Sequence, residues 1–208
     1  LENSISSFTL NIVFKKDCFK YFKHNYYYHK DGYVWTGAEY TEENWPLGYA
    51  VFCSASSKSE EYADGLSILA YMRYEEVEAW KDTFNTASNE NDRGETYNHF
   101  KKRKAEILLD AVERKFPGLR DVIKSYYVAT PLSYRDYIGN EDGSLYGIVK
   151  DYKHPLKTFI SPRTKLPNLF LTGQNLNLHG ILGASMSGIV TCCALLGNDS
   201  VITKIRNA

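Results

Sequence analysis

Methionine is scarce in this sequence, two in 208 residues, and cysteine is nearly so at four. Cys18, Cys53, Cys192 and Cys193 show neither CxxC spacing nor a disulfide framework suited to a chain of this length. That points to reduced thiols in a cytoplasmic setting and leaves no metal site to expect. Charge of a prevailing sign is missing as well. Twenty-five Lys and Arg balance 25 Asp and Glu, so no global field draws the chain to nucleic acid or to an anionic membrane. Repeats and low-complexity tracts are absent. Leu1-Glu2-Asn3-Ser4 carries neither a methionine nor the basic and apolar regions of a signal peptide, and the expectation is a piece of a longer protein. The nineteen residues from His179 to Gly197 carry no Asp, Glu, Lys or Arg and approach the roughly 20 that a membrane span needs. Eight of those nineteen are Gly, Ser, Thr or His, so a buried helix is expected before a membrane helix.

What is plentiful is aromatic: 17 Tyr, 10 Phe and 3 Trp make 14% of the chain. Many of them fall on strand-like segments. Residues 7–14 (SFTLNIVF) alternate apolar and polar with the period of a half-buried strand. Residues 23–30, 47–53 and 66–73 favour β structure through Tyr26, Tyr27, Tyr28, Tyr49, Phe52 and Tyr71. Turn-rich segments such as Lys30-Asp31-Gly32 separate them. Two helices follow, a short one at 74–81 and a long one at 92–116, the latter opening on Asp92 and Glu95 with capping-box spacing. Lys101, Lys102, Arg103 and Lys104 beside its apolar stripe fit a solvated face better than a polyanion site. Ile123 to Ala129 predicts another strand, closed by Thr130-Pro131, and the residues from there to Pro167 look irregular. The fold class is therefore α+β, a mixed or antiparallel sheet with helices over one face.

The stretch from Asn168 to Gly188 carries the chemistry. A short strand ending at Gly173 is followed by a helix starting near Gly180, whose N-terminus faces the strand's C-terminal end, where ligands of α/β folds bind. Gly180 and Gly183 remove side chains, and amides at a helix N-terminus stabilise negative charge. An anion or a cofactor with an electron-rich edge fits this arrangement. A tight helix–sheet contact with no ligand fits it equally.

Residues 180–188 (GILGASMSG) resemble the C-terminal flavin-binding signature of the phytoene desaturase, carotenoid isomerase and retinol saturase family, Gly-Ile-x-Gly-x-x-x-Ser-Gly, at every fixed position. Thr130 to Tyr137, Gly143 to Gly147, Ser161 to Thr164 and Gly173 to Gly180 are similar to its retinol saturase branch. The resemblance implies an FAD-dependent oxidoreductase acting on carbon–carbon double bonds of an isoprenoid, with NAD(P) as a candidate electron source. It implies that Gly173, Gln174, Gly180, Ile181, Leu182 and Gly183 hold the cofactor, with Gln174 where related flavoproteins place an acid. His179 and Tyr146 are the catalytic candidates, although a histidine before a helix is as often a capping or packing residue. Tyr134, Arg135, Asp136 and Tyr137 are candidates for the mouth of the site, with a structural Arg135–Asp136 ion pair the alternative.

One departure is plain: no GxGxxG, the pyrophosphate-binding turn of such enzymes, occurs in the 208 residues. The expectation is therefore a C-terminal part, inactive alone, with residues 1–128 as a substrate-binding domain. Residues 129–208 would return as a strand–helix segment to complete an FAD domain whose N-terminal half lies elsewhere in the same protein. The setting is cytoplasmic, with peripheral membrane contact a candidate. A rival reading makes the chain a stand-alone module binding an apolar ligand without a cofactor. It expects a closed core, whereas the enzyme reading expects exposed apolar residues around Leu169 to Leu182. A membrane-anchored interaction protein is the third reading.

Overall fold

A computed structural model describes residues 1–30, 32 and 34–208, and for residues 198–200 the backbone alone. Asp31, in the turn expected at 30–32, lies outside the described residues. Two compact units emerge: Ile5–Gly143, and Leu1–Ser4 together with Ser144–Ala208.

The larger unit is a five-stranded sheet with helices. Strands β1 (Ser6–Phe14), β2 (Tyr26–His29), β3 (Gly48–Cys53), β4 (Gly65–Met72) and β5 (Ile123–Ala129) are ordered β2-β3-β4-β1-β5. Every pairing is antiparallel, which resolves the mixed-or-antiparallel expectation. Because side chains alternate along a strand, register sorts them onto two faces. Phe8, Leu10, Ile12 and Phe14 of β1 share one face with Leu66, Ile68, Ala70 and Met72 of β4, and all eight are buried. Helix α1 (Glu95–Glu113) covers that face with one apolar stripe, Tyr97, Phe100, Ala105, Leu108, Leu109 and Val112. At this density, truncating a ring such as Phe8 to alanine costs about 3–5 kcal/mol. Gly65 of β4 stands opposite Val13, where a Cβ would lie 2.6 Å from the Ile12 carbonyl oxygen, so the close strand pairing admits no side chain there.

The register divides the aromatic residues of these strands between the two faces. Tyr26, Tyr28 and Tyr49 fall on the core side: Tyr28 and Tyr49 stack with centroids 5.0 Å apart, and the Tyr49 hydroxyl donates to the Ala111 carbonyl at 3.3 Å. Tyr27, Phe52 and Tyr71 lie on the opposite face.

Several local expectations are corrected. The short helix expected at 74–81 is present over Tyr74–Trp80, and it is a 3₁₀-helix. Helix α1 begins at Glu95 behind an N-cap Gly94, because the Asp92 carboxylate instead accepts from the Gly94 amide at 3.0 Å and closes its own turn. After the short helix α2 (Leu119–Val122), Pro131 opens α3 (Pro131–Ile138) in the stretch expected to be irregular. A proline is well tolerated at a first helical position, and the Thr130 amide donates to Ser133 Oγ at 3.1 Å. The basic cluster on α1 is not uniformly solvated. Lys104 is fully buried, paired with the Glu76 carboxylate and set over the Trp45 ring at 4.6 Å from its centroid.

Glu76 also accepts from the Tyr40 hydroxyl, which in turn accepts from the Arg73 amide at 2.7 Å. A second buried charge, Asp136 of α3, accepts from Arg135 Nε at 2.8 Å, from the Asn85 amide at 2.9 Å and from Arg93. Arg135 continues to the Tyr74 hydroxyl at 3.1 Å and to the Lys81 and Thr83 carbonyls. Thus the Arg135–Asp136 pair is structural, tying α3 to residues 74–93.

Two outcomes follow from this buried polar chemistry. Glu76→Gln leaves the Lys104 ammonium buried without a counter-charge and is expected to cost about 3–5 kcal/mol in urea unfolding, whereas Lys102→Gln, on the exposed face, changes stability by under about 0.5 kcal/mol. Equal losses in the two variants would contradict the assignment. Burial, then the Glu76 carboxylate, raises the Tyr40 pKa well above the ordinary tyrosine value, and burial first pushes the Tyr49 hydroxyl up to about 12. Both groups hold their protons more tightly when folded. Their stabilisation is therefore intact below about pH 10, where an unfolded tyrosine ionises, and declines as pH rises from there towards about 12. Urea midpoints measured across that window should fall, and less steeply in Tyr49→Phe; a flat profile would refute it.

Candidate functional site

The smaller unit is built on the turn between Gly173 and His179. Its neighbour is the segment after Ser144, where the Ser4 amide donates to the Gly147 carbonyl at 2.7 Å and the Tyr146 amide to Ser4 Oγ at 2.9 Å. Gly147, at φ +73, sits where a Cβ would fall 1.8 Å from Asn175 Oδ1. That oxygen accepts from the Ile148 amide at 3.0 Å. Lys150 Nζ spends its three donors on three carbonyls: Asn175 at 2.5 Å, Thr158 at 3.1 Å and Leu176 at 3.2 Å. Burial lowers its pKa, since these dipoles replace water without supplying a counter-charge. The 173–178 turn is thereby fixed from below, with Leu176 buried beneath it.

Helix α4 (Gly180–Leu196) leaves this turn through an extended His179 and a Gly180 at φ +77. Among the described residues no side chain caps its N-terminus, so the first-turn amides of Ile181, Leu182 and Gly183 keep their partial positive charge. A Cβ on Gly180 would meet nothing within 4 Å, leaving open space beside the helix start. Gly183 is the opposite case: a Cβ there would lie 2.1 Å from the Leu178 carbonyl oxygen. The glycine lets the first turn of α4 fold back against residue 178. One turn further on, Ser187 Oγ is fully buried without a hydrogen-bond partner.

The structure brings the two catalytic candidates together, with the Tyr146 and His179 rings 4.4 Å apart between centroids and tilted by 44°. Gly173 and Gln174 lie in the turn, and Gly180 to Gly183 form the helix start. Lys150 and Asn175, which hold the turn in place, were invisible in the sequence, since a lone lysine or asparagine carries no spacing signal. The strand expected at 168–173 is corrected. The segment is mostly exposed, with a single bridge from Phe170 to Arg163 and a bond from the Leu171 amide to the Pro162 carbonyl at 2.8 Å. A strand needs a neighbour to pair with, and among the described residues only this short contact is available. Helix α5 (Asn198–Arg206) follows α4.

Helix α4 is apolar around its circumference, yet much of it is exposed, with Ile181 at 91% and Leu182 at 73%. Leu169, Leu171 and Leu178 are exposed beside it, as the enzyme reading expects. Among the described residues, no helix is long and apolar enough to cross a membrane.

In the Ile5–Gly143 unit, the sheet face away from α1 is the second candidate surface. Tyr127 of β5 and Tyr27 of β2 are 67% and 59% exposed there, with Phe52, Leu69 and Tyr71 half-buried between them. Its polar end is tied down: the Tyr134 hydroxyl lies 2.7 Å from Thr9 Oγ1 and accepts from Ser7 Oγ at 3.0 Å, and Ser67 Oγ donates to Asn11 Oδ1 at 2.8 Å. A broad apolar surface with a few fixed polar groups suits a long, mostly hydrocarbon molecule.

No protein family profile matches this chain. It is similar to curated proteins named all-trans-retinol 13,14-reductase: one from Danio rerio, 30% identical over 139 residues, covering 65% of this chain and 22% of the relative, and one from Homo sapiens, 28% identical over 182 residues, covering 84% and 29%. A relative of the same name from Macaca fascicularis is 27% identical over 187 residues, covering 83% and 30%. The chain thus spans between a fifth and a third of the length of these relatives, and the similarity supports the retinol saturase-like family.

Proposed function

We propose that this chain is the C-terminal part of an FAD-dependent oxidoreductase that acts on a carbon–carbon double bond of a retinoid-like isoprenoid. The observation that carries the reading is the uncapped start of α4. Gly180 leaves open space beside it, and Gly183 draws the first turn against Leu178. A flat cofactor with an electron-rich edge needs this kind of cradle, because a side chain at either glycine would intrude on the cofactor or push the turn outward. The names of the relatives support a reductase, and the aromatic open face of the sheet suits the apolar substrate.

In this reading the amides of Ile181, Leu182 and Gly183, with Gln174, would hold the cofactor. FAD, when bound, supplies the hydride chemistry. The chain's own residues do the rest. The first-turn amides stabilise negative charge on whatever group they face, and they do so without reorganising. The Tyr146 and His179 rings, 4.4 Å apart between centroids, would line the site and orient the reacting partner. Exposed Ile181, Leu182 and Leu178 pack against the nucleotide-binding half of the enzyme, which brings the pyrophosphate turn.

The full-length gene product should purify with a flavin spectrum and bleach the conjugated polyene absorbance of a retinoid when supplied with an electron donor. Gly183→Val should retain less than about a tenth of the bound flavin, because the valine side chain collides with the Leu178 carbonyl. Its circular dichroism should stay close to that of the parent, since the sheet unit is untouched. A colourless protein after reconstitution with FAD, or full flavin occupancy in Gly183→Val, would sink the proposal.

A further inference from the structure

A separate cavity of about 180 Å³ opens in the sheet unit, lined by Asn85, Asp92 and Arg93 of the loop, Lys101 of α1, and Ser133 and Tyr137 of α3. We propose that it binds a small oxyanion of the phosphate type, independently of the flavin reading. Size sets the class first: drug-sized and nucleotide ligands need about 300–1,000 Å³, so the cavity suits a tetrahedral anion or the head of a phosphate monoester.

Charge points the same way. The buried Asp136 carboxylate is shared by two guanidinium groups, Arg93 and Arg135, leaving that cluster with one excess positive charge. Lys101 adds another. Its ammonium lies over the Tyr97 ring, 4.9 Å from the centroid, and no ion pair with a carboxylate is formed among the described residues. Burial and then the nearby Arg93 lower its pKa, against a smaller opposing pull from Asp92. The single acid on the wall, Asp92, has Oδ1 turned to the Gly94 amide at 3.0 Å and to Asn98 Nδ2 at 3.4 Å.

Donors complete the site. Ser133 Oγ accepts from the Thr130 amide and the Tyr137 hydroxyl accepts from the Ala87 amide at 2.7 Å, so each has its own proton left to give. Lys101 offers up to three more. An anion seated among them gains charge-assisted hydrogen bonds and relieves the repulsion between Lys101 and Arg93.

The test is a titration of the ¹⁵N-labelled chain with inorganic phosphate and, in parallel, glycerol 3-phosphate, at constant ionic strength made up with sodium chloride. Saturable shifts at the Asn85, Asn98, Lys101 and Ser133 amides are expected from one or both. Preference between the two identifies the free ion or the monoester. Lys101→Gln should weaken binding about tenfold or more, Asp92→Asn should tighten it, and Lys102→Gln, exposed on the same helix, should leave it unchanged. Shifts reproduced by chloride alone, or a loss as large in Lys102→Gln as in Lys101→Gln, would overturn the assignment.

Discussion

The alternation along β1 is the constraint from which both faces of the sheet descend. The strand lies between β4 and β5, so its register propagates to each side. Phe8, Leu10, Ile12 and Phe14 commit one face to α1, and Ser7, Thr9, Asn11 and Val13 are then necessarily delivered to the other. A one-residue slip would bury Asn11 in the core and expose Leu10, exchanging a hydrogen-bonded polar group for an unsatisfied one. The open face thus owes its geometry to the hydrophobic face behind it. Its aromatic residues come from β2, β3, β4 and β5 at positions that β1 sets through the pairing. This is also why the tyrosine run 26–28 cannot act as a unit: Tyr27 faces one way, Tyr26 and Tyr28 the other.

Buried charge then fixes what the sheet alone leaves loose. Residues 74–93 contain no long helix or strand to hold them, only a 3₁₀ turn and loops. Two carboxylates do that work, Glu76 by gathering Lys104 and Tyr40, and Asp136 by gathering Arg93, Arg135 and the Asn85 amide. Desolvating such groups is costly, and an ion pair inside a protein is a poor source of net stability. Its value lies in direction. An apolar contact tolerates sliding, whereas Asp136, with both oxygens engaged, accepts only one placement of α3 relative to the loop. The same shared carboxylate leaves the surplus positive charge beside Lys101, so a structural device and the proposed anion pocket have one electrostatic origin.

Much of this was legible in the sequence where period or turn chemistry spoke. β1, β3, β4 and β5 lie within about a residue or two of their expected bounds, because alternating and β-branched residues report burial directly. The Arg135–Asp136 pair was foreseen as one of two readings. Tyr146 and His179, the catalytic candidates, lie with their rings 4.4 Å apart between centroids. What failed did so for stated reasons. Lys104 looked solvated because charge was read without its position on the helix face, yet it lies in the stripe with Phe100 and Leu108, four residues from each. Thr130-Pro131 does close β5, but the Thr-Pro-x-Ser spacing around it is also a helix start, where an irregular stretch was expected. Apolar Asn168 to Gly173 looked like a strand, but pairing is a property of neighbours and not of a segment.

Helix α4 poses the remaining physical problem. A helix that is apolar all round is stable in water only when covered, and this one presents Ile181, Leu182, Met186, Leu195 and Leu196 to solvent. Burying one such side chain contributes about 1.5–3 kcal/mol, so five together carry a driving force for association on the order of a whole domain's net stability. Its first turn adds a second demand, since uncapped amides need an acceptor as the apolar sides need a cover. A single partner satisfies both only if it presents a hydrocarbon surface and an electron-rich edge side by side. A flavin seated in its own domain has that combination: apolar protein around the ring and a polar pyrimidine edge at its rim. An apolar ligand alone would cover the side chains and leave the amides unpaired, and an anion alone would do the reverse. The composition of α4, glycine at 180 and 183 with Ile181 and Leu182 between them, meets both demands in the proposed flavin-domain contact.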